Sequence, residues 1–235
     1  MAYVQSWTNS TPADPCNVAI SPSADSVLIG IGVTDTTNVA DLDTTPAGWT
    51  QLFRAQTTTD AMTFQVIYKV ANGSETSVSF SSTSTNTSIA AVAEFSGVDT
   101  TTPLDVTPAT FSSSTANTTT SISITPVTNG CDLVFCQGQD DGGSDYSFAF
   151  STTAGTTGAW STRIDQNSAF HNQALGSAVQ ATAGALTAQV VSTSGGRAGI
   201  LIALRPAATP SNALDDSGSF PGFEAQSNPL VISVW

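Results

Sequence analysis

The segment Asp25-Ser-Val-Leu-Ile29 has a similar counterpart in Asp132-Leu-Val-Phe-Cys136. Four more pairs of segments recur at an offset of about 110 residues: Gly48-Trp49 with Ala159-Trp160, Phe64–Tyr68 with Asn172–Gly176, Ser77–Phe80 with Thr187–Val190, and Ala90–Phe95 with Ile200–Arg205. Chance matches between apolar runs rarely keep one offset over five pairs. The sequence therefore predicts an all-β protein, a jelly-roll-like antiparallel β-sandwich with an internal duplication.

Short runs of β-branched and apolar residues, bounded by turn residues every 10 or so positions, support this prediction. We predict strands near Val18–Ile20, Val27–Thr34, Thr50–Phe53, Thr63–Val70, Ser77–Phe80, Ile89–Phe95, Ser121–Thr125, Leu133–Gln137, Tyr146–Phe150, Gln173–Gln180, Leu186–Ser192 and Gly199–Leu204. Residues 1–206 would form one domain, with pseudo-repeats at about 18–106 and 121–206. The polar stretch Thr107–Thr120 would link the two halves.

Charge is sparse in this chain. Only 10% of its 235 residues are charged, against roughly 25% in an ordinary soluble domain. Five cations leave a net charge of −13, which should repel nucleic acid and anionic membranes, so we expect neither as a partner. An uncharged polar surface favours close contact between subunits, because little charge must be desolvated. We expect no transmembrane helix and no secretory signal.

The three cysteines indicate no special chemistry. Cys131 and Cys136 lie five residues apart on one predicted strand, which places them on opposite faces and excludes a disulfide between them. Their spacing matches no common zinc site. We expect Cys16, Cys131 and Cys136 to be buried free thiols.

No catalytic residue can be assigned. His171 is the sole histidine, and no G-x-S-x-G sequence accompanies it, so we expect it to lie at the surface or at a strand edge. Glu94 is the one glutamate inside a predicted strand, where an outward or rim position is expected. A glycosidase needs two carboxylates held across a cleft, which this pattern does not indicate. We predict that the chain is not an enzyme.

One loop has some of the chemistry of a calcium site. Asp140, Asp141 and Asp145 bring hard oxygen ligands together beside Gly142 and Gly143. The regular spacing and the bidentate glutamate of an EF-hand are missing. A polar turn without metal is therefore favoured, and we predict no cofactor.

Aromatic residues offer a second kind of binding chemistry. Sugars stack on exposed rings, and the candidates are Trp7, Trp49, Trp160, Trp235, Tyr3, Tyr68 and Tyr146. Trp49 and Trp160 hold equivalent positions in the two repeats. That equivalence favours a role in the duplicated core over a role as a sugar platform.

From residue 207 to 235 the chain changes character and is predicted to form an extended C-terminal arm. Pro210, Pro221 and Pro229 exclude a central strand or a helix. The arm ends in an apolar, β-prone segment that should dock on its own body or on a neighbour. The candidate partner-binding residues are Leu230, Val231, Ile232, Val234, Trp235, Phe220 and Phe223.

The segment Ala91-Val-Ala-Glu-Phe-Ser-Gly-Val-Asp99-Thr-Thr-Thr-Pro-Leu-Asp105 resembles a stretch of jelly-roll modules found in bacteriophage virion proteins and some bacterial surface proteins. Gly48-Trp49-Thr and Tyr68-Lys-Val-Ala also resemble the middle strands of that family. The similarity covers about Asp25 to Pro206 and implies the fold more than the function, because the module serves in decoration proteins, fibres and tail appendages. No functional residue is carried over with it.

From these observations we expect a virion structural protein, a capsid decoration or cement protein on the exterior of a phage head. Its partners would be itself, as a homotrimer, and the major capsid protein. Many modest contacts summed over a lattice can replace a deep pocket. The alternative is a carbohydrate- or receptor-binding module of a phage tail fibre or appendage, and a hydrolytic enzyme ranks third.

Overall fold

A computed structural model describes residues 1–35, 42–57, 62–81, 88–140, 147–168 and 171–208. Throughout these residues the regular structure is β-strand, without helix. The strands are β1 (Ala2–Ala13), β2 (Cys16–Ala19), β3 (Val27–Asp35), β4 (Thr50–Thr57), β5 (Met62–Val70), β6 (Ser77–Phe80), β7 (Ser88–Ser96), β8 (Ala109–Ile124), β9 (Cys131–Asp140), β10 (Ala149–Ala154), β11 (Ser161–Asn167), β12 (His171–Gln180) and β13 (Leu186–Leu204). The predicted all-β antiparallel sandwich is confirmed.

Each half of the chain forms its own large sheet, and the two sheets have the same strand order. In the first unit, β1–β7, the large sheet has the order β1-β7-β3-β5-β4, and β2 pairs with β6 in a small sheet. In the second unit, β8–β13, the large sheet has the order β8-β13-β9-β12-β11. The first part of β13 pairs with β8 and β10, and so provides the counterpart of the small sheet. The strand order is thus duplicated along with the sequence.

Matching β-bulges fix how the two units correspond. β4 and β11 each begin directly after a tryptophan. Thr50, after Trp49, pairs with Tyr68, and Ser161, after Trp160, pairs with Ser177. A bulge then falls on the third residue of each strand, at Leu52 and at Arg163. The structural register therefore matches Trp49 with Trp160, as the sequence does. It makes Val27 the structural equivalent of Asp132, whereas the sequence comparison aligns Asp25 with Asp132.

The large sheets pack face to face around a central cluster. Phe64, Val66 and Ile31 of the first unit meet Val134 and Ile200 of the second in this cluster. Gly138 makes the approach close, because a Cβ atom there would lie 2.5 Å from Cδ2 of Phe64. Burial of such side chains contributes about 25 cal/mol per Å² of apolar area, so this interface stabilises the pair of units.

The opposite face of each large sheet is also covered. In the first unit, Leu28, Ile67 and Val92 pack against Val18 and Phe80 of the small sheet. In the second unit, Leu133, Phe135 and Leu201 pack against Ile124 and Leu186. The duplication therefore gives two units, each with a core of its own, and a third core lies between their large sheets.

The strands predicted at Leu186–Ser192 and Gly199–Leu204 are the two ends of one strand, β13, and three other strands were missed wholly or in large part. The stretch Thr107–Thr120, expected to be a linker, contains most of β8. β1 and β11 were not predicted. All three lie at sheet edges, where half-exposed Ser and Thr hide the alternation of apolar residues that normally reveals a strand.

Candidate functional site

β8 presents a long strand edge in the second unit. Within the described residues β13 is its one strand neighbour. The sixteen residues of β8 include no Lys, Arg, Asp, Glu or Pro, the residues with which natural sheets often block an edge. Register shifts opposite Val191–Arg197 bend the ladder. Before this bend, Ala109–Ser113 pairs without interruption with Arg197–Leu201 of β13.

An open groove of about 570 Å³ lies where the two ends of β8 converge. Its apolar floor comes from the edge of the second-unit core, and its rim carries hydroxyl groups. The apolar lining includes Val106, Ala109, Ile124, Ala154, Ala185 and Leu186, and the hydroxyls belong to Thr107, Ser123, Thr125 and Thr187. Such a groove has room for an extended segment with apolar side chains, and two of the four rim hydroxyls, those of Ser123 and Thr187, hydrogen-bond to each other at 2.7 Å. Sequence reasoning missed it because most of β8, Ala109–Thr120, was taken for a linker.

His171 is buried, so the expected position at the surface or at a strand edge is wrong. It begins β12, which lies between β9 and β11, and its side chain is 0% exposed. Neither ring nitrogen has a hydrogen-bond partner in the described part of the chain. Burial lowers the pKa of His171 to about 4. The Ser168 hydroxyl donates to the main-chain carbonyl of His171 at 2.7 Å, not to the ring, so the two do not form a nucleophile–base pair.

Glu94 is also buried and does not lie at a rim. Its carboxylate accepts hydrogen bonds from Nε2 of Gln5 and from the amide of Ser23, both at 2.8 Å. Burial alone would raise the pKa of Glu94, yet these hydrogen bonds hold it below its usual range. A rim position would require an open sheet face, but the small sheet covers the face of β7 that carries Ala90, Val92 and Glu94.

The segment Ala91–Asp105, which carries the family resemblance, leads out of the first unit and hydrogen-bonds to the second. Asp105 accepts hydrogen bonds from the amides of Val127 at 2.6 Å and Thr128 at 3.1 Å, and pairs with Nε of Arg205 at 3.3 Å. Burial would raise the pKa of Asp105, but these hydrogen bonds lower it. Asp99 accepts from the amides of the following turn. Both carboxylates therefore shape the backbone.

The cysteines and two of the tryptophans lie where the sequence placed them. Cys16, Cys131 and Cys136 are buried free thiols, and Cys131 and Cys136 belong to different cores on opposite faces of β9. Trp49 packs on the first-unit core and Trp160 on the second-unit core. The Trp160 ring also stacks on Phe150, and its Nε1 donates to Thr152.

Several predicted site residues fall outside the described residues. Asp141, Asp145 and the whole candidate arm set are among them: Leu230, Val231, Ile232, Val234, Trp235, Phe220 and Phe223. Asp140 ends β9, opposite His171 and Gly196. Across the described ranges, no three His, Cys, Asp or Glu side chains come together as metal ligands.

No helix among the described residues is long and apolar enough to cross a membrane. The chain was also compared with known proteins. It matches no protein-family model, no curated protein and no solved structure.

Proposed function

We propose that this chain is a virion structural protein that decorates the exterior of a bacteriophage capsid as a cement protein. In this role it binds the major capsid protein and assembles with other copies of itself, as a homotrimer. The resemblance of Ala91–Asp105 to virion jelly-roll modules supports the class of protein. The trimer follows from that resemblance, because decoration proteins commonly occupy threefold positions.

The observation that carries the proposal is the uncharged edge of β8 with its adjoining groove. Sheet edges bind extended segments through main-chain hydrogen bonds, and side-chain pockets beside them add specificity. A chain with a net charge of −13 can approach an identical copy most closely where it carries no charge. The edge of β8 is such a place.

The arm is the proposed counterpart. Leu230, Ile232 and Val234 alternate with Val231 and Ser233, a pattern typical of a strand. Docked on a neighbouring subunit or on the shell, this segment would link subunits, and many such links over a lattice give tight attachment. Prolines upstream stiffen the approach and reduce the entropy lost on docking.

We propose no enzymatic activity and no cofactor. The neutral, enclosed imidazole of His171 and the hydrogen-bonded carboxylates of Glu94, Asp99 and Asp105 support this part of the proposal. The three carboxylates hydrogen-bond to their surroundings, and no hydroxyl group hydrogen-bonds to the His171 ring within the described residues.

The test uses capsids purified without the protein, together with three forms of the chain: full length, truncated after Pro206, and Thr110→Lys. Thr110 is exposed on β8, and a lysine there places on the edge the charge that natural sheets use to prevent strand addition. We expect both altered forms to stay folded and to attach to capsids at least about tenfold more weakly, which is 1.4 kcal/mol.

Thr162→Lys is the matched control, because Thr162 is an exposed threonine on β11, at the other edge of the same sheet. It should attach normally. Light scattering of the full chain should report a trimer in solution or on the capsid. Capsid attachment of the truncated chain and of Thr110→Lys as tight as that of the full chain would refute the proposal.

A further inference from the structure

The two units differ most informatively at one end of the interface between the large sheets. The bulge register aligns three polar residues of the second unit with apolar or aromatic residues of the first: Asp132 with Val27, Arg163 with Leu52, and Ser177 with Tyr68. In the first unit these positions contribute to the central cluster. Packing alone would therefore be served by apolar residues in the second unit too.

These three polar residues line a small cavity of about 240 Å³. The cavity lies between the first unit's β1 and the second unit's β9, β11 and β12. Its lining comprises Met1, Ala2, Tyr3, Asp132, Ala159, Arg163, Ser177, Ala178 and Val179. Its volume is below the range of about 300–1,000 Å³ of most drug-sized ligand sites, and suits a ligand of one ring.

Asp132 is the most unusual group in this lining. It is 4% exposed, and its Oδ2 atom has no hydrogen-bond partner within the described structure. Burial raises the pKa of Asp132, while the charges of the Met1 amino group and Arg163 act in the opposite direction. A buried polar atom without a partner costs stability, so its presence calls for an explanation other than packing.

Arg163 is held beside Asp132 without forming an ion pair with it in the described residues. Its Nε donates to the Ser177 hydroxyl at 2.9 Å. Its guanidinium lies 4.4 Å from the centre of the Tyr3 ring, a cation–π contact that fixes its plane. The cavity thus presents a fixed hydrogen-bond donor group on one side and an unused acceptor on the other.

We propose that this cavity binds a small neutral ligand rich in hydroxyl groups, of the size of a single sugar ring. Hydroxyl groups donate to the Asp132 carboxylate and accept from Arg163, so one ligand satisfies both walls. The lining carries one negative group, Asp132, and two positive groups, Arg163 and the Met1 amino group, so an ion of either sign would meet a like charge there and a neutral ligand would not. This site does not depend on the proposed capsid function, because no part of β8 or β13 lines it.

The experiment is saturation-transfer NMR of the full chain with glucose, galactose, mannose, N-acetylglucosamine and glycerol, each titrated separately. We expect saturable, millimolar binding of at least one ring and weaker binding of glycerol. Asp132→Val introduces the residue that the first unit carries at this position, and should weaken binding by about ten- to a hundredfold, as expected for loss of a hydrogen bond to a charged group. Its melting temperature should be equal or higher, since an unpaired buried carboxylate is removed.

Asp43→Asn is the control, because it removes an exposed carboxylate that does not line the cavity, and it should bind as the wild type does. Asp132→Asn, which keeps the shape of the side chain, covers the case in which Asp132→Val unfolds. Absence of saturable binding by all five compounds would overturn the proposal. So would wild-type affinity in a folded Asp132→Val or Asp132→Asn variant.

Discussion

Gly138→Ala tests whether the two units pack as the structure describes. The added Cβ would lie 2.5 Å from Cδ2, 2.7 Å from Cγ and 3.0 Å from Cβ of Phe64, where carbon atoms normally approach to about 3.5–4.0 Å. Phe64 is fully buried and its ring meets Phe53 edge-on at 6.5 Å, so it has little room to move. Overpacking of this kind costs about 1–3 kcal/mol.

A smaller opposing effect comes from the unfolded chain, which loses freedom when glycine becomes alanine, worth about 0.4–1 kcal/mol. The net loss should be about 1–2 kcal/mol. In a chain of this size each kcal/mol lowers the melting temperature by about 2–4 °C. Thermal and urea unfolding followed by circular dichroism would measure it. Gly158→Ala is the control, because its Cβ would have its closest contact at 3.4 Å.

The double variant Gly138→Ala with Phe64→Leu makes the test specific to this contact. Leucine frees space above residue 138, so the two changes together should cost less than the sum of their separate costs, with a coupling of about 1 kcal/mol. A Gly138→Ala protein as stable as the wild type would refute the described packing. Strict additivity in the double variant would refute it as well.

Two further predictions concern buried ionisable groups. Asp105→Asn should cost about 2 kcal/mol, because Arg205 loses a charged hydrogen-bond partner while remaining partly exposed. It should also remove the part of the wild-type stability that is lost as pH falls through the lowered pKa of Asp105. His171 takes up a proton more readily unfolded than folded, so wild-type stability should fall by about 3 kcal/mol as pH drops from about 6.5 to 4. His171→Met introduces a methionine, the residue that the first unit carries at the equivalent position 62. It should remove this pH dependence from the free energy of unfolding measured with urea. A profile unchanged by either substitution would contradict the corresponding assignment.

The sequence predicts the buried strands well, for a physical reason. β3, β5 and β7 carry nearly continuous apolar runs because both of their faces are covered, and such runs are the clearest strand signal. β1 and most of β8 are edge strands rich in uncharged polar residues, so their patterns resemble those of loops. The duplication was visible, but its register in β3 and β9 was not, because Asp25 and Asp132 match by residue type and not by position.

The positions of Glu94 and His171 could not be predicted from the sequence alone. Both predictions would hold in a sandwich with one core, in which each strand turns one face to water. Three cores leave the central strands without such a face, and polar side chains on them are enclosed. The number of cores depends on how two units meet, which is a tertiary property that strand periodicity does not contain.

The same comparison between units separates the two proposed activities. Where the units agree, as at Trp49 and Trp160 or at the paired bulges, the residues build the framework twice. Where they differ, at Asp132 and Arg163, the second unit carries polar groups that packing does not need. The edge of β8 shares no lining residue with that cavity. A lysine on β8 should therefore block assembly and leave sugar binding intact, while Asp132→Val should do the opposite, and a variant that abolished both without unfolding would show that the two sites are coupled.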